Sequence, residues 1–260
     1  MCFAMNKHCL ITGGAGAMGA ATARLAAGQG QSVTLVSLEA ERAQASALVD
    51  EITAAGGTAQ FLAADVSSEA DIVAAFAGAV QAFGPLSGVM HAAGMFVGNH
   101  VKDLDFAAVS KLMAINVTGL MICCREAARH MSTQSGGQGG SIVNISSMAA
   151  TIGGRPGHSV YAASKGAVDV FTKGFAKEVA REGIRVNSIR PGAVASAMTA
   201  GLEADPALKR AVEESIPMGR IGAPEEIAEI ALWLMSPAAS LVTGAHIDAG
   251  GGGFNVAGSI

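Results

Sequence analysis

The stretch ITGGAGAMG, Ile11 to Gly19, sets four glycines and two alanines in nine residues, directly after a short apolar run. So little side chain suits a place where backbone must come close to something. A turn that leaves a strand and opens a helix is such a place: residues without bulk let N–H groups approach a pyrophosphate, and the helix N-terminus adds partial positive charge for that anion. Gly14, Gly16 and Gly19 spell GxGxxG. In a chain with 34 glycines that spelling alone leaves a plain tight turn open as the other reading.

Outward from this stretch the chain keeps one rhythm. β-like runs recur at His8 to Thr12, Ser32 to Ser37, Thr58 to Asp65, Ser87 to Ala93, Ser141 to Ser146, Arg185 to Arg190 and Ala245 to Ala249. Between them lie Ala-rich segments of helical spacing: Met18 to Gln29, Glu39 to Ala55, Glu69 to Phe83, Phe106 to Met131, Val160 to Glu182 and Glu225 to Met235. Several strands are apolar almost end to end, as expected when helices cover both faces of a parallel sheet. The pattern predicts a doubly wound α/β fold with seven parallel strands, and ITGGAGAMG falls at its first strand-to-helix turn. No linker, charge block or repeat interrupts the chain, so residues 1–260 read as one domain. The one low-complexity patch, SGGQGG at Ser135 to Gly140, is loop-sized.

Composition narrows the function. A net charge of −4 with singly scattered Lys and Arg supplies no basic face for a phosphate backbone, which argues against nucleic acid. No uninterrupted apolar run approaches a membrane span, and the N-terminus has no signal-like apolar core, so a cytoplasmic protein is expected. Cys2, Cys9, Cys123 and Cys124 lack metal-ligand spacing and read as reduced structural thiols.

Further along stands YAASK, Tyr161 to Lys165, near the start of a predicted helix. Tyr and Lys at i and i+4 share one helix face, close enough for an ammonium to act on a phenol. A free phenol has a pKa of about 10 and a neighbouring cation lowers it, which would make Tyr161 a usable acid and base. An ordinary exposed helix face is the competing reading of that spacing alone.

TGGAGAMG after the first strand, HAAG (His91 to Gly94) after the fourth, Asn116 in a long helix, NISS (Asn144 to Ser147) after the fifth, YAASK, and RPG (Arg190 to Gly192) after the sixth follow one another in the order of the short-chain dehydrogenase/reductase family. The tail GRIGAPEEIA with TGAHIDAGG also resembles that family, and the resemblance covers nearly the whole chain. It implies a Rossmann sheet of order 3-2-1-4-5-6-7 and an oxidoreductase that moves hydride between a nicotinamide cofactor and a secondary alcohol or ketone. No metal is implied. Tyr161 would be the general acid/base, and Lys165 the residue that activates the phenol and binds ribose. Ser147 would bond the substrate oxygen, and Asn116 would hold the water linking Lys165 to solvent. The cofactor would meet Gly13, Gly16, Ala17, Met18 and Gly19 in the turn, Ser37 after the second strand, the Asp65 and Val66 pair, Ala93 and Gly94, Tyr161 and Lys165, then Pro191, Gly192, Val194 and Ser196. A substrate lid is expected at about residues 195–218; Met148, Met198 and Met218 are candidates for an apolar wall, with core filler the more frequent use of Met, and Arg155 and His158 read as solvated loop residues ahead of polar contacts to the substrate. A homodimer or homotetramer packed through the helices Phe106 to Met131 and Val160 to Glu182 is implied too.

Three departures from the family pattern stand out. Ala17 occupies the place of the turn's middle glycine, His91 replaces an Asn and is read as making a structural hydrogen bond, and Ser147 precedes Tyr161 by one residue more than usual. After the second strand, Ser37, Leu38 and Glu39 carry neither the ribose-binding carboxylate nor a phosphate-binding cation. With Glu39 and Glu41 nearby the charge favours NAD, and NADP stays open. A nucleotide-binding regulator without turnover, and an isomerase or dehydratase using transient oxidation, are the alternative functions.

Overall fold

The computed structural model describes residues 7–202 and 204–253. Its strands are β1 (His8–Thr12), β2 (Ser32–Ser37), β3 (Thr58–Ala63), β4 (Gly88–His91), β5 (Gly140–Ile145), β6 (Ile184–Pro191) and β7 (His246–Ala249). Its helices are α1 (Ala17–Gly28), α2 (Arg42–Ala54), α3 (Glu69–Phe83), α4 (Phe106–Met113), α5 (Leu120–Met131), α6 (Ala149–Ile152), α7 (Ser159–Val179), α8 (Pro206–Glu214) and α9 (Pro224–Met235). The strands form one sheet in the order β3-β2-β1-β4-β5-β6-β7, and every pairing is parallel. The expected architecture and strand order are both found.

Strands β1 to β6 each feed both layers of core, and β7 feeds one. Leu10, Val89, Ile142 and Val186 face Ile72 and Phe76 of α3, Cys123 and Cys124 of α5, and Val168 and Phe175 of α7. Cys9, Ile11, Leu35, Met90 and Val143 face Ala23 and Ala26 of α1, Leu48 and Ile52 of α2, and Leu232 of α9. Small Ala and Cys side chains let these helices lie close to the sheet. Cys9, Cys123 and Cys124 are buried free thiols, and burial pushes those of Cys9 and Cys123 up to about 12. Cys2 lies outside the described residues.

The long helix departs from expectation in one respect. Phe106 to Met131 is continuous helix, but its middle, Ala114–Gly119, is π-helical, with Asn116 inside it. By length and composition this helix would be apolar enough to cross a membrane, although Ser110, Lys111, Asn116 and Arg125 interrupt its apolar run. Its inner residues Leu112, Leu120, Cys123, Cys124, Ala127 and Met131 are buried in the protein instead.

Near the C-terminal ends of the strands the core turns polar. Thr12, His91, Asn144, Ser188 and His246 stand opposite one another in a single register row across β1, β4, β5, β6 and β7. The α7 helix crosses this row, with its Thr172 hydroxyl accepting from Asn144 Nδ2 at 2.9 Å and its Asp169 accepting from the Ser188 hydroxyl at 3.1 Å. The loops that leave these strand ends build the site.

Candidate active site

Gly13 takes φ +65°, and a side chain on it would come within 2.6 Å of the Ala93 nitrogen, so β1 and β4 can release their loops side by side only with glycine here. A methyl on Gly19 would overlap the Gly13 carbonyl oxygen. Those two positions, more than Gly14 or Gly16, require glycine. The α1 helix begins with no side-chain cap and no acidic residue in its first turn, which leaves its leading N–H groups for an anion. The chemistry of this cradle fits a dinucleotide pyrophosphate.

Gly13, Gly16, Ala17, Met18, Gly19, Gly94, Pro191, Gly192, Val194 and Ser196 line one cavity of about 260 Å³ together with Ser147, Tyr161 and Lys165. Ser37, Asp65, Val66 and Ala93, the other cofactor candidates, do not line it. The Ser37 hydroxyl is buried and accepts from Ala15 N at 3.0 Å, so it braces the glycine turn. Asp65 turns back on its own loop, accepting from the Ser67 nitrogen at 2.8 Å and the Ser67 hydroxyl at 2.7 Å. Val66 packs on the core and its carbonyl backs onto Gly119, while Ala93 N reaches Thr12 Oγ1 at 3.4 Å.

At the start of α7, Tyr161 and Lys165 meet as their spacing predicts, with Lys165 Nζ 5.8 Å from the centre of the Tyr161 ring. The ammonium is buried and donates to the Ile145 carbonyl at 2.8 Å. Burial lowers its pKa to about 8, against the opposing pull of Asp169. The Ser147 side chain lines the same cavity as Tyr161, and its Oγ accepts from Ala149 N at 3.1 Å. Between the two, where α6 ends, Gly153 and Gly154 both have φ +77° and Gly157 has φ +85°, a loop that turns the chain into α7. The expected lowering of the phenol pKa is not found. Burial raises it, and the Ser147 side chain opposes this only in part, because the ring is more enclosed than an open cleft would leave it.

Asn116 is committed to its neighbours. Its Oδ1 accepts from Met95 N at 2.8 Å, and its Nδ2 donates to Met95 O at 2.9 Å and Ser164 Oγ at 3.1 Å. The amide thereby ties the loop after β4 to α7. A side chain on Gly94 would meet Asn116 Oδ1 at 3.3 Å and Lys165 Nζ at 3.5 Å, which explains the small residue between them. His91 corrects the sequence reading: both ring nitrogens are buried without a hydrogen-bond partner, and burial holds its pKa at about 3.

A second cavity, of about 360 Å³, shares Ser147 and Tyr161 with the first and is walled by Phe96, Ile152, Met198, Leu202 and Val212. Phe96 stands edge-on to Tyr161 at 5.2 Å and to His158 at 4.7 Å. Arg155 and His158 are the charged or titratable groups at its rim, and Arg155 donates to Ser215 Oγ of the α8 segment at 3.2 Å. Of the three candidate methionines for the wall, Met198 is present. Met148 is buried behind Gly250, and Met218 borders a different cavity beside Arg220. The expected lid segment folds as a 3₁₀ stretch, Ala197–Leu202, and α8, whose N-terminus Asp205 caps; Glu203 lies outside the described residues.

Sequence reasoning missed Phe96 and the group behind Lys165. Asp169 lies one turn beyond Lys165 on α7 and accepts from Arg190 Nε at 2.8 Å, while Arg190 also bonds Asp248 at 3.2 Å. The signal available was the continuation of the Tyr161–Lys165 spacing to 169, and an Arg in RPG with no other task.

Comparison with known proteins agrees with this geometry. The family model described as enoyl-(acyl carrier protein) reductase matches residues 13–254. The chain is 43% identical over 245 residues to the uncharacterized oxidoreductase YgfF of Escherichia coli K12, covering 94% of this chain and 98% of that one. It is 36% identical over 251 residues to 2-(S)-hydroxypropyl-CoM dehydrogenase 3 of Xanthobacter autotrophicus, covering 95% and 96%. A solved short-chain dehydrogenase/reductase of Serratia marcescens superposes with a TM-score of 0.86 at 32% identity, covering 95% of this chain and 98% of that one. The chain belongs to the short-chain dehydrogenase/reductase family, whose dehydrogenases use nicotinamide cofactors.

Proposed function

We propose that this protein interconverts a secondary alcohol and a ketone with NAD as the hydride carrier. One observation carries the reading: the Ser147–Tyr161 pair, backed by Lys165, stands where the glycine-lined groove and the apolar cavity meet. A bound nicotinamide would supply or accept the hydride at that junction. In the oxidising direction the Tyr161 oxygen takes the proton of the alcohol, and Ser147 holds the substrate oxygen in line with it. Lys165 places a positive charge beside the phenol ring, which favours the phenolate that accepts this proton. In the reducing direction Tyr161 returns the proton to the ketone oxygen. The walls of the second cavity hold the apolar part of the substrate and exclude water.

The preference for NAD rests on charge. The Arg42 guanidinium, at the start of α2, is paired with Glu39 and lies 5.1 Å over the Phe61 ring. Glu41 accepts from Leu38 N at 3.3 Å. A 2′-phosphate there would face Glu39 and Glu41 against one already paired cation. We also propose self-association, because Phe106 of α4 and Val170 of α7 are 86% and 76% exposed on the two helices expected to pack between copies.

The test is steady-state turnover of a panel of secondary alcohols with NAD and with NADP, followed by absorbance of the reduced cofactor. NAD-linked turnover is expected. Binding of cofactor with no net reduction on any alcohol or ketone would overturn the reading in favour of a regulator or an internal redox isomerisation.

A further inference from the structure

The α7 helix carries Tyr161, Lys165 and Asp169 at i, i+4 and i+8, a spacing that puts all three on one face with neighbouring Cβ atoms about 5–6 Å apart. Tyr161 and Lys165 border the cavity, whereas Asp169 is buried behind them against β6 and β7. We propose that Asp169 is a positioning residue for the reaction: its carboxylate keeps Lys165 in the ammonium form that Tyr161 needs, and the strands beneath hold that carboxylate in place.

The charges and bonds around Asp169 support this assignment. Oδ2 accepts from Arg190 Nε at 2.8 Å, Oδ1 accepts from the Ser188 hydroxyl at 3.1 Å, and His246 Nδ1 stands 3.6 Å from Oδ1. Ser188 Oγ is also 2.7 Å from His246 Nδ1. With the single serine proton given to the carboxylate, Nδ1 of His246 must be the donor to Ser188, so a directed chain runs from His246 through Ser188 to Asp169. The groups facing the carboxylate are Lys165 and Lys173 from α7, Ser188 and Arg190 from β6, and His246 and Asp248 from β7. Burial favours neutral His246. Arg190 is therefore one cation shared by two carboxylates, and Lys173 is a second cation beside them, so Asp169 acts on Lys165 by its nearness, one turn away on α7, as a carboxylate. Lys165 is the cation placed to use it, since its own hydrogen-bond acceptor, the Ile145 carbonyl, is uncharged.

This second role of RPG differs from a cofactor contact. Pro191 and Gly192 line the groove, while Arg190, one residue earlier on β6, clamps Asp169. A purely structural role, in which Asp169 only staples α7 to β6, would leave the titration of Lys165 where it is.

The test needs no turnover. Lys165 is acetylated with trace acetic anhydride from pH 6 to 10 in the intact protein and in Asp169→Asn, Asp169→Glu and Arg190→Gln, and the pH dependence of labelling is read on the Lys165 peptide by mass spectrometry. Opposite charges at this separation shift a pKa by about one unit or more. The midpoint is expected to fall by about one pH unit in Asp169→Asn and to return in Asp169→Glu. In Arg190→Gln the carboxylate loses its competing cation and the midpoint should rise, which keeps the proposal testable even where Asp169→Asn fails to fold. The alkaline limb of kcat should move with the same sign; this part rests on the proposed oxidoreductase activity. An unmoved labelling midpoint in folded Asp169→Asn, or in Arg190→Gln where Asp169→Asn is unfolded, would overturn the inference and leave the activity standing. Shifted labelling in a protein without turnover would do the reverse.

Discussion

Replacing His91 should change how the fold responds to acid. Both nitrogens of this buried ring lack partners, and burial holds its pKa at about 3, against 6.5 for the ordinary side chain. A depressed histidine pKa means that the unfolded chain binds a proton the folded chain refuses, so stability present above pH 6.5 is lost as pH falls toward 3. Each unit below 6.5 costs about 1.4 kcal/mol, so at pH 5 the loss from His91 alone is about 2 kcal/mol. In His91→Leu that contribution disappears. Removing an unpaired buried polar group in favour of an apolar one is close to neutral at pH 7.5, where the histidine is uncharged in both states. The assay is urea unfolding at pH 7.5 and pH 5.0 for both proteins. His8, His158 and His246 also have depressed pKa values, but they contribute to both proteins, so the difference isolates His91. The wild type should lose about 2 kcal/mol more than the variant between the two pH values. Equal losses would refute the reasoning by showing that the ring reaches water or a partner.

Other changes test the site. Tyr161→Phe should lower kcat by about 10²- to 10⁴-fold while cofactor affinity, measured by fluorescence or calorimetric titration, stays within about two-fold, since the ring and its packing remain. Gly19→Ala should weaken cofactor binding and lower the melting temperature together, because the added methyl overlaps the Gly13 carbonyl oxygen. Glu39→Gln releases Arg42 from its carboxylate, so the NADP/NAD ratio of catalytic efficiencies should rise; an unchanged ratio would remove Arg42 from the cofactor's surroundings.

The fold was legible because a parallel sheet covered on both faces leaves apolar strands such as SVTLVS uninterrupted, and the helices between them keep their own period. The Tyr161–Lys165 pair was legible because helical spacing fixes it. Properties that depend on packing were not. AINVTG carries nothing that distinguishes a π-helical turn from an α-helical one, so the π-helical middle of the Phe106 to Met131 helix could not be read. The missing partners of His91 and the enclosure of the Tyr161 ring follow from what lies across the sheet and over the cleft, and the phenol shift was read with the wrong sign for that reason. The Asp169 cluster joins α7 to β6 and β7, and only the register that sets Ser188 opposite His246 brings it together.

The most direct measurement uses the chain's single tyrosine, which makes phenolate absorbance a report on Tyr161 alone. Near-ultraviolet difference absorbance is titrated with pH for the protein by itself and with saturating NAD, with circular dichroism confirming the fold across the range. The buried phenol should ionise above the ordinary value of about 10 by itself, and the positive nicotinamide ring should bring it down by about one unit or more. A tyrosine whose titration is unmoved by saturating NAD would contradict a Tyr161 that exchanges protons beside the nicotinamide.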